Sequence, residues 1–377
     1  LRGANTTRVF SNGIREIIVT SLYTELFPTF VVGSLPRPEW LRRVVLDRRD
    51  GNLDAESAEH LLDIAIPSAI AMQERAGIDF VSDGEWRRES YIKVIAEHVD
   101  GFEAGLVRSL KHTVDDPAVV APIKRREDLT TKAAKFLLAN THRKAIVTLP
   151  SPYILGWRMW REDVSGAAYS TREEFMAASA EILREEVEGL VAAGVDHIQI
   201  DEPWLLLLVD PEHRARIGVR NIEKEIETCT GMINEVVKTV GDTPTSVHMC
   251  HAHFGRERYG DGGYEPIIDA LADINVDRFA MEFAAPESHG VGVLARFPAG
   301  KVLGLGVIDQ IDTNVETPEI VIERVEEALK HVPADRMTLN PDCGFSPGAQ
   351  NPMDIDEAFL KLSAMSAAAM QLRKRHG

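Results

Sequence analysis

Short apolar runs alternate along the chain with longer stretches whose apolar residues recur at helical spacing, and polar loops follow the short runs. Eight runs read as strands: 28–34, 80–82, 145–149, 197–200, 246–248, 278–282, 302–306 and 337–339. Helical spacing marks 55–76 (Leu61, Ile64, Ile66, Ile70), 171–193, 214–240, 318–329 and 352–373. Strands separated by helices predict a parallel sheet, and eight such units predict closure into an α/β fold of the (β/α)8 TIM-barrel type. The competing arrangement is an open doubly wound sheet. Against it, no G-x-G-x-x-G follows an early strand, and the chemically loaded residues are spread over many strands. Around residues 101–130 the alternation breaks into mixed polar and β-branched residues with Pro117 and Pro122, which predicts a small insertion or hairpin. Residues 1–27 read as an N-terminal extension and 28–377 as a single catalytic barrel.

Charge narrows the partners. A net charge of −17 without a basic run argues against nucleic acid or an anionic membrane surface, both of which require clustered Lys and Arg. Any anion site must therefore be built locally. No apolar stretch reaches the roughly 20 residues that span a bilayer, and the opening residues do not read as a secretory signal. Three cysteines are poor material for a disulfide framework and suit a reducing compartment, so the expected location is the cytoplasm. Cys229, on an apparent helix without ligand-type neighbours, reads as structural.

Candidate chemistry gathers where strands end. In TSVHMCHAHFG, His248 and Cys250 are two residues apart, so in an extended chain they point the same way and can share one soft or borderline metal. Cys343 in MTLNPDCGF closes another apolar run, and Glu282 in FAMEF puts a carboxylate where an unpartnered charge is costly. Three strand ends thus offer four metal-compatible groups, with Zn2+ the natural candidate. The bland readings are a cysteine buried as a small hydrophobe, or a structural zinc. Structural zinc usually draws on close pairs such as C-x-x-C, whereas these ligands come from separate strand ends. In a barrel, Ser34, Glu85, Asp201, His248, Glu282 and Cys343 would all face one mouth.

The motifs VGSLPRP, SDGEWRRE, ILGWRMWRED, IDEPW, HMC, MEF and NPDCG occur in this order over about residues 28–370. With them the chain resembles the catalytic domain of cobalamin-independent methionine synthase in its single-domain short form, a family that includes the zinc-dependent epoxyalkane:coenzyme M transferases. The resemblance implies a (β/α)8 barrel, zinc held by His248, Cys250, Glu282 and Cys343, and alkyl transfer to a zinc-bound thiol. It also implies that Glu85 and Asp201 hold the ammonium of homocysteine, assisted by the Gly33-Ser34 backbone, and that Trp157 stacks on a pterin ring. Read from the residues alone, two carboxylates at a barrel mouth suit an ammonium. Equally, Asp201 can cap the following segment, Glu85 can pair with Arg87 or Arg88, and Trp157 or Trp160 can be packing residues. Arg87 and Arg88 can instead hold a carboxylate or the sulfonate of coenzyme M.

One departure stands out. Where the methionine synthases carry a histidine able to donate a proton, this chain has Gln310-Ile311-Asp312, leaving Asp309, Asp312, His251 and His253 as substitutes. The thiol is expected to be homocysteine, with coenzyme M the alternative, and the alkyl donor a methyl-folate, a methyl-corrinoid protein or an epoxide. A non-catalytic zinc-binding module is the third class, and assembly into a homo-oligomer is left open.

Overall fold

The computed structural model describes residues 22–23, 25–105, 108–109, 113–285, 290–346 and 353–377. Residues 1–21 and 24 of the expected extension lie outside the described residues. Seven parallel strands pair in the order Phe80–Val81, Lys144–Pro150, His197–Asp201, Thr245–Met249, Arg278–Met281, Val302–Ile308 and Met337–Pro341. The bridges Phe30↔Phe80 and Thr29↔Leu339, both parallel, join the two sheet edges through one short segment and close the barrel. Phe30 N–H donates to Leu339 O at 2.8 Å, and Val31 N–H donates to Phe80 O at 3.3 Å.

The first strand is shorter than the apolar run 28–34 suggests. Past Val31 the backbone leaves the sheet to tie two loops together, Leu35 N–H donating to Gly84 O at 3.0 Å and Ser34 O accepting from Phe345 N–H at 2.9 Å. Helical pattern 214–240 also divides, into Pro211–Ile217 and Ile222–Val237. Gly218 takes a left-handed φ of 76° that ends the first helix, and Asn221 caps the second by accepting from Lys224 N–H. Two other long helices begin and end on similar signals. Ala55–Ala76 is capped by Asp54 and ends at left-handed Gly77, while Arg172–Ala193 is capped by Thr171 and ends at left-handed Gly194.

Below the mouth, the barrel interior is polar where the strands start. Arg278 donates to Thr338 Oγ1 (2.7 Å) and Asn340 Oδ1 (2.5 Å), and its guanidinium lies 4.2 Å from the Phe30 ring centroid. A Cβ on Gly304 would strike both Arg278 and Asn340, so a larger residue at this strand position would have to displace their side chains. Tyr23 packs edge-on against Phe30 and Phe80 at 5.4 and 5.3 Å and sits 3.4 Å from His197 Nδ1, closing the N-terminal end of the barrel. The expected insertion is a hairpin, Val99–Glu103 antiparallel to Ala118–Arg125, pinned by an Asp116–Arg158 ion pair of 2.5 Å between two nearly buried side chains. Among the described residues no helix is long and apolar enough to cross a membrane.

Candidate metal centre at the barrel mouth

Register places the chemistry. Asp201 pairs with His248, and Met249 with Met281, so Asp201, His248 and Glu282 leave three adjacent strands at nearly one level. Asp342 N–H donates to Ile308 O at 2.9 Å, which brings Cys343 to the same level. The result is a buried group in which His248, Cys250 and Cys343 have ligand atoms all within 4.8 Å of one another. The Cys250 and Cys343 sulfurs are 3.6 Å apart. Two sulfurs bonded to one tetrahedral zinc at about 2.3 Å would stand roughly 3.8 Å apart, so this pair fits the metal. The His248 Nδ1 atom is 3.4 Å from Asp201 Oδ1, and its Nε2 is 3.4 Å from Asp342 O.

The electrostatics lean the same way. A hydrogen bond from Cys343, joined by His248, holds the Cys250 thiol well below its ordinary pKa against the effect of burial, and Cys343 is raised in turn as the donor. Burial would lower His248, yet Cys250 and Asp201 outweigh it and push it up to about 10. Two thiols and an imidazole that already share protons are ready to exchange them for a cation.

Glu282 is placed differently from its expected companions. Its carboxylate, fully buried, is outside the three-residue group. One oxygen accepts from His251 N–H (3.0 Å) and meets His251 Nδ1 at 2.9 Å. The other accepts from Arg258 Nε at 3.0 Å and is also bonded by Arg258 Nη2. His253 Nε2 stands 3.4 Å from it. Burial alone would raise the Glu282 pKa, but His253 and the hydrogen bonds from His251 hold it well below the usual carboxylate range. His251 and His253, expected as spare acids, are thus partners of this carboxylate.

On the opposite side of the mouth, Glu85 is buried with a left-handed φ of 58°, an unusual backbone for a side chain of this kind. It accepts from Thr148 Oγ1 at 2.6 Å, and Arg88 Nη1 lies 3.6 Å away while donating to Thr148 Oγ1 at 3.0 Å. Burial raises the Glu85 pKa, Arg88 opposes it, and the charge of Asp201 adds to the rise. Gly33 explains its own presence: a Cβ there would fall on Glu85 Oε1. Ser34 Oγ accepts from Ser346 N–H at 3.2 Å, which ties the first loop to the segment after Cys343. Asp201 accepts from Gln199 Nε2 at 2.9 Å and does not cap the next helix; Glu202 does, accepting from Leu205 N–H at 3.0 Å.

Several expected residues are not brought to this cluster. Arg87 turns away, paired with Glu59 (2.8 Å) and Asp63 (2.5 Å) and lying 4.9 Å from the Phe136 ring centroid. Asp309 spends a carboxylate oxygen on Ile311 N–H (2.7 Å), and exposed Asp312 accepts from Asn314 N–H at 2.9 Å. Trp157, 8% exposed, is already packed: Arg172 lies 3.7 Å above its ring, Trp204 is stacked at 6.2 Å and Tyr153 meets it edge-on at 6.5 Å. Trp157 and Arg172 line a cavity of about 600 Å³ with Trp160 and Arg161, so a planar ligand would enter beside Trp157 or displace Arg172.

Sequence reasoning missed Asp342 and Arg258. The Asp342 carboxylate accepts the backbone N–H groups of Phe283, Ala284 and Ala285 at 2.9–3.1 Å and so fixes the turn after Glu282. Burial and the charge of Glu282 push its pKa up to about 8. A buried-strand end written Asp-Cys was the available signal for Asp342; Arg258 had none.

With this geometry in place, comparison with known proteins is informative. The family model described as the catalytic domain of cobalamin-independent synthase matches residues 27–371. A B12-independent methionine synthase from Shewanella sp. W3-18-1, solved in complex with selenomethionine, is 26% identical, superposes with a TM-score of 0.77, and the match covers 93% of this chain and 98% of that one. A protein from Listeria monocytogenes described as a vitamin-B12-independent methionine synthase shares the fold at 22% identity and a TM-score of 0.67, over 92% of this chain and 98% of its own. A methyltransferase from Methanosarcina mazei shares it more distantly, at 14% identity and a TM-score of 0.53, over 94% and 97%.

Proposed function

Because the chain belongs to the cobalamin-independent synthase catalytic-domain family, we propose that it is a zinc-dependent alkyltransferase that methylates the thiol of homocysteine to give methionine. The observation that carries this reading is the buried group of two thiols and an imidazole, within 4.8 Å of one another, beside the carboxylates of Glu85 and Asp201. Zinc bound there would strip the proton from a thiol and fix its sulfur for attack. His248, Cys250 and Cys343 hold the metal, and Glu282 is the remaining candidate ligand. Two thiolate ligands leave the centre a weak water activator, which favours a sulfur nucleophile over hydrolysis.

Glu85 and Asp201 bind and orient the substrate ammonium by charge-assisted hydrogen bonds. Thr148 and Arg88 hold Glu85 in place, and Gln199 holds Asp201. Arg88 is already paired with Glu85, so the mouth presents net negative charge, which favours an amino-acid thiol over the sulfonate of coenzyme M. The selenomethionine complex of the Shewanella relative supports an amino-acid ligand. Three free cysteines suit a reducing cytoplasm.

The test is a substrate matrix on zinc-loaded protein, crossing homocysteine and coenzyme M with methyl-folate, methylated corrinoid protein and a simple epoxide. Methionine from at least one methyl donor is the expected result. Turnover only with coenzyme M and an epoxide would replace the substrate, and no metal in the purified protein would end the reading.

A further inference from the structure

We propose that Arg37 is a positioning residue for the ammonium site: its guanidinium holds the strained backbone of Glu85, and it acts on the thiol substrate only through the Glu85 carboxylate. The inference deepens the functional reading above and rests on it. Glu85 is one of three non-glycine residues with a left-handed φ among the described residues. Such a conformation persists only where the surroundings over-determine it. Here they do so by lacing two loops together. Ser82 Oγ donates to Gly33 O at 2.6 Å, Leu35 N–H to Gly84 O at 3.0 Å, and Arg37 Nη2 to Glu85 O at 2.6 Å. Alternate residues of VGSLPRP thus engage Ser82, Gly84 and Glu85 in turn, and the last rung, on Glu85 itself, is made by a charged side chain.

The local sequence suits that task. Arg37 lies between Pro36 and Pro38; the first ring fixes the φ of Pro36, and the second keeps Arg37 out of helical geometry, so the backbone is set before the side chain reaches across. Pro38 then precedes the helix Glu39–Arg49, which anchors the far end of the loop. On the other loop, Gly84 N–H donates to Ser82 Oγ at 3.0 Å and Glu85 N–H donates to Asp83 Oδ1 at 2.9 Å. Those bonds hold the amide side of Glu85. Its carbonyl is held by Arg88 N–H at 3.1 Å and by Arg37, and of these two donors only Arg37 carries charge in the bond. Burial lowers the Arg37 pKa, while the charges of Glu85, Glu97 and Asp83 oppose the fall. Its Nε is buried without a hydrogen-bond partner, so packing alone does not account for an arginine here. The two guanidiniums therefore divide the work: Arg88 faces the Glu85 carboxylate, and Arg37 secures the backbone that aims it.

The experiment compares Arg37→Met, which keeps much of the side-chain volume and removes the donor, with Arg37→Lys, which keeps a charged donor. Thiol affinity is read without any alkyl donor, from the visible spectrum of the cobalt-substituted protein titrated with homocysteine or with propanethiol, which has no ammonium. Arg37→Met should need about 10-fold more homocysteine, with metal content and propanethiol affinity unchanged. Arg37→Lys should fall between, which also guards against a misfolded Met variant. The double variant Arg37→Met/Glu85→Gln should bind homocysteine no more weakly than Glu85→Gln alone, because a residue acting only through Glu85 has nothing left to position. Equal losses with both thiols, wild-type homocysteine affinity in Arg37→Met, or losses that multiply in the double variant would overturn the proposal and leave the functional reading intact. A wild-type protein whose cobalt spectrum responds to propanethiol but not to homocysteine would instead overturn that reading.

Discussion

Replacing Gly33 with Ala tests the ammonium clamp without touching a charged residue. The new Cβ would land on Glu85 Oε1, 3.0 Å from Thr148 Cγ2 and 3.3 Å from Glu85 Cδ. To make room, the carboxylate must swing away and give up the 2.6 Å hydrogen bond from Thr148. The φ of 150° at Gly33 adds backbone strain of about 1–3 kcal/mol for any L side chain. Loss of a hydrogen bond to a charged group costs about 1.5–3 kcal/mol. Together these set a stability loss of roughly 2–6 kcal/mol, read by thermal or denaturant unfolding. A carboxylate displaced from its ammonium forfeits a comparable bond, about 1.5–3 kcal/mol, or roughly 10- to 150-fold in kcat/KM for homocysteine. Zinc content should be unchanged. The decisive comparison is with a simple alkyl thiol that lacks an ammonium: against that acceptor Gly33→Ala and Glu85→Gln should both behave like wild type. Equal losses with both thiols, or an unchanged KM for homocysteine, would refute the reasoning and make Glu85 a structural residue.

Three further outcomes are expected. Cys250→Ser and Cys343→Ser should each lower zinc affinity by more than the roughly 10- to 100-fold that loss of an outer partner costs, and metal analysis finding full zinc in both would remove these ligands. Metal-free protein treated with a mild oxidant should form a Cys250–Cys343 disulfide, since the sulfurs are 3.6 Å apart, while zinc-loaded protein and Cys229 stay reduced; peptide mapping that finds Cys229 in the bridge would contradict the geometry. His213 is buried against Trp204 and Tyr259 at 5.2 and 5.5 Å, and burial, then Arg216, lowers its pKa from 6.5 to about 4. The unfolded chain therefore takes up a proton first, and stability falls as pH drops from about 6.5 to 4. The ceiling is about 3 kcal/mol, less to the extent that solvent reaches the helix Pro211–Ile217. His213→Phe should flatten that part of the unfolding-versus-pH curve, and an unchanged curve would mean that other groups control it.

The barrel was legible because its signals are local and repeated: short apolar runs that alternate with stretches of helical apolar spacing such as 55–76 and 171–193. The level of the chemistry was legible too, since strand ends in a parallel barrel meet at one rim. What the chain alone could not supply was the choice between neighbours. Arg87 and Arg88 are adjacent and chemically alike, yet Arg88 reaches Thr148 inside the mouth, while Arg87 pairs outside with Glu59 and Asp63 on helix Ala55–Ala76. That division follows from the turn made at left-handed Gly84 and Glu85, and nothing in SDGEWRRE states which arginine points inward.

The pair Asp201 and Glu202 shows the same physics with a clearer rule. Strand alternation sends Gln199 and Asp201 to one face, where they bond to each other. Glu202, one residue on, must leave that face, and it caps the helix Pro203–Leu207 that Pro203 opens. An Asp-Glu-Pro sequence at a strand end thus contains both a site carboxylate and a capping carboxylate, and parity decides which is which. Glu282 marks where such rules stop. Parity brings it to the mouth, but the cation it meets is Arg258 on a hairpin about two dozen residues earlier in the chain, and only the folded loop reveals that pairing. A ligand set read from strand ends can name the groups that reach a metal; it cannot say which of them another part of the chain has already engaged.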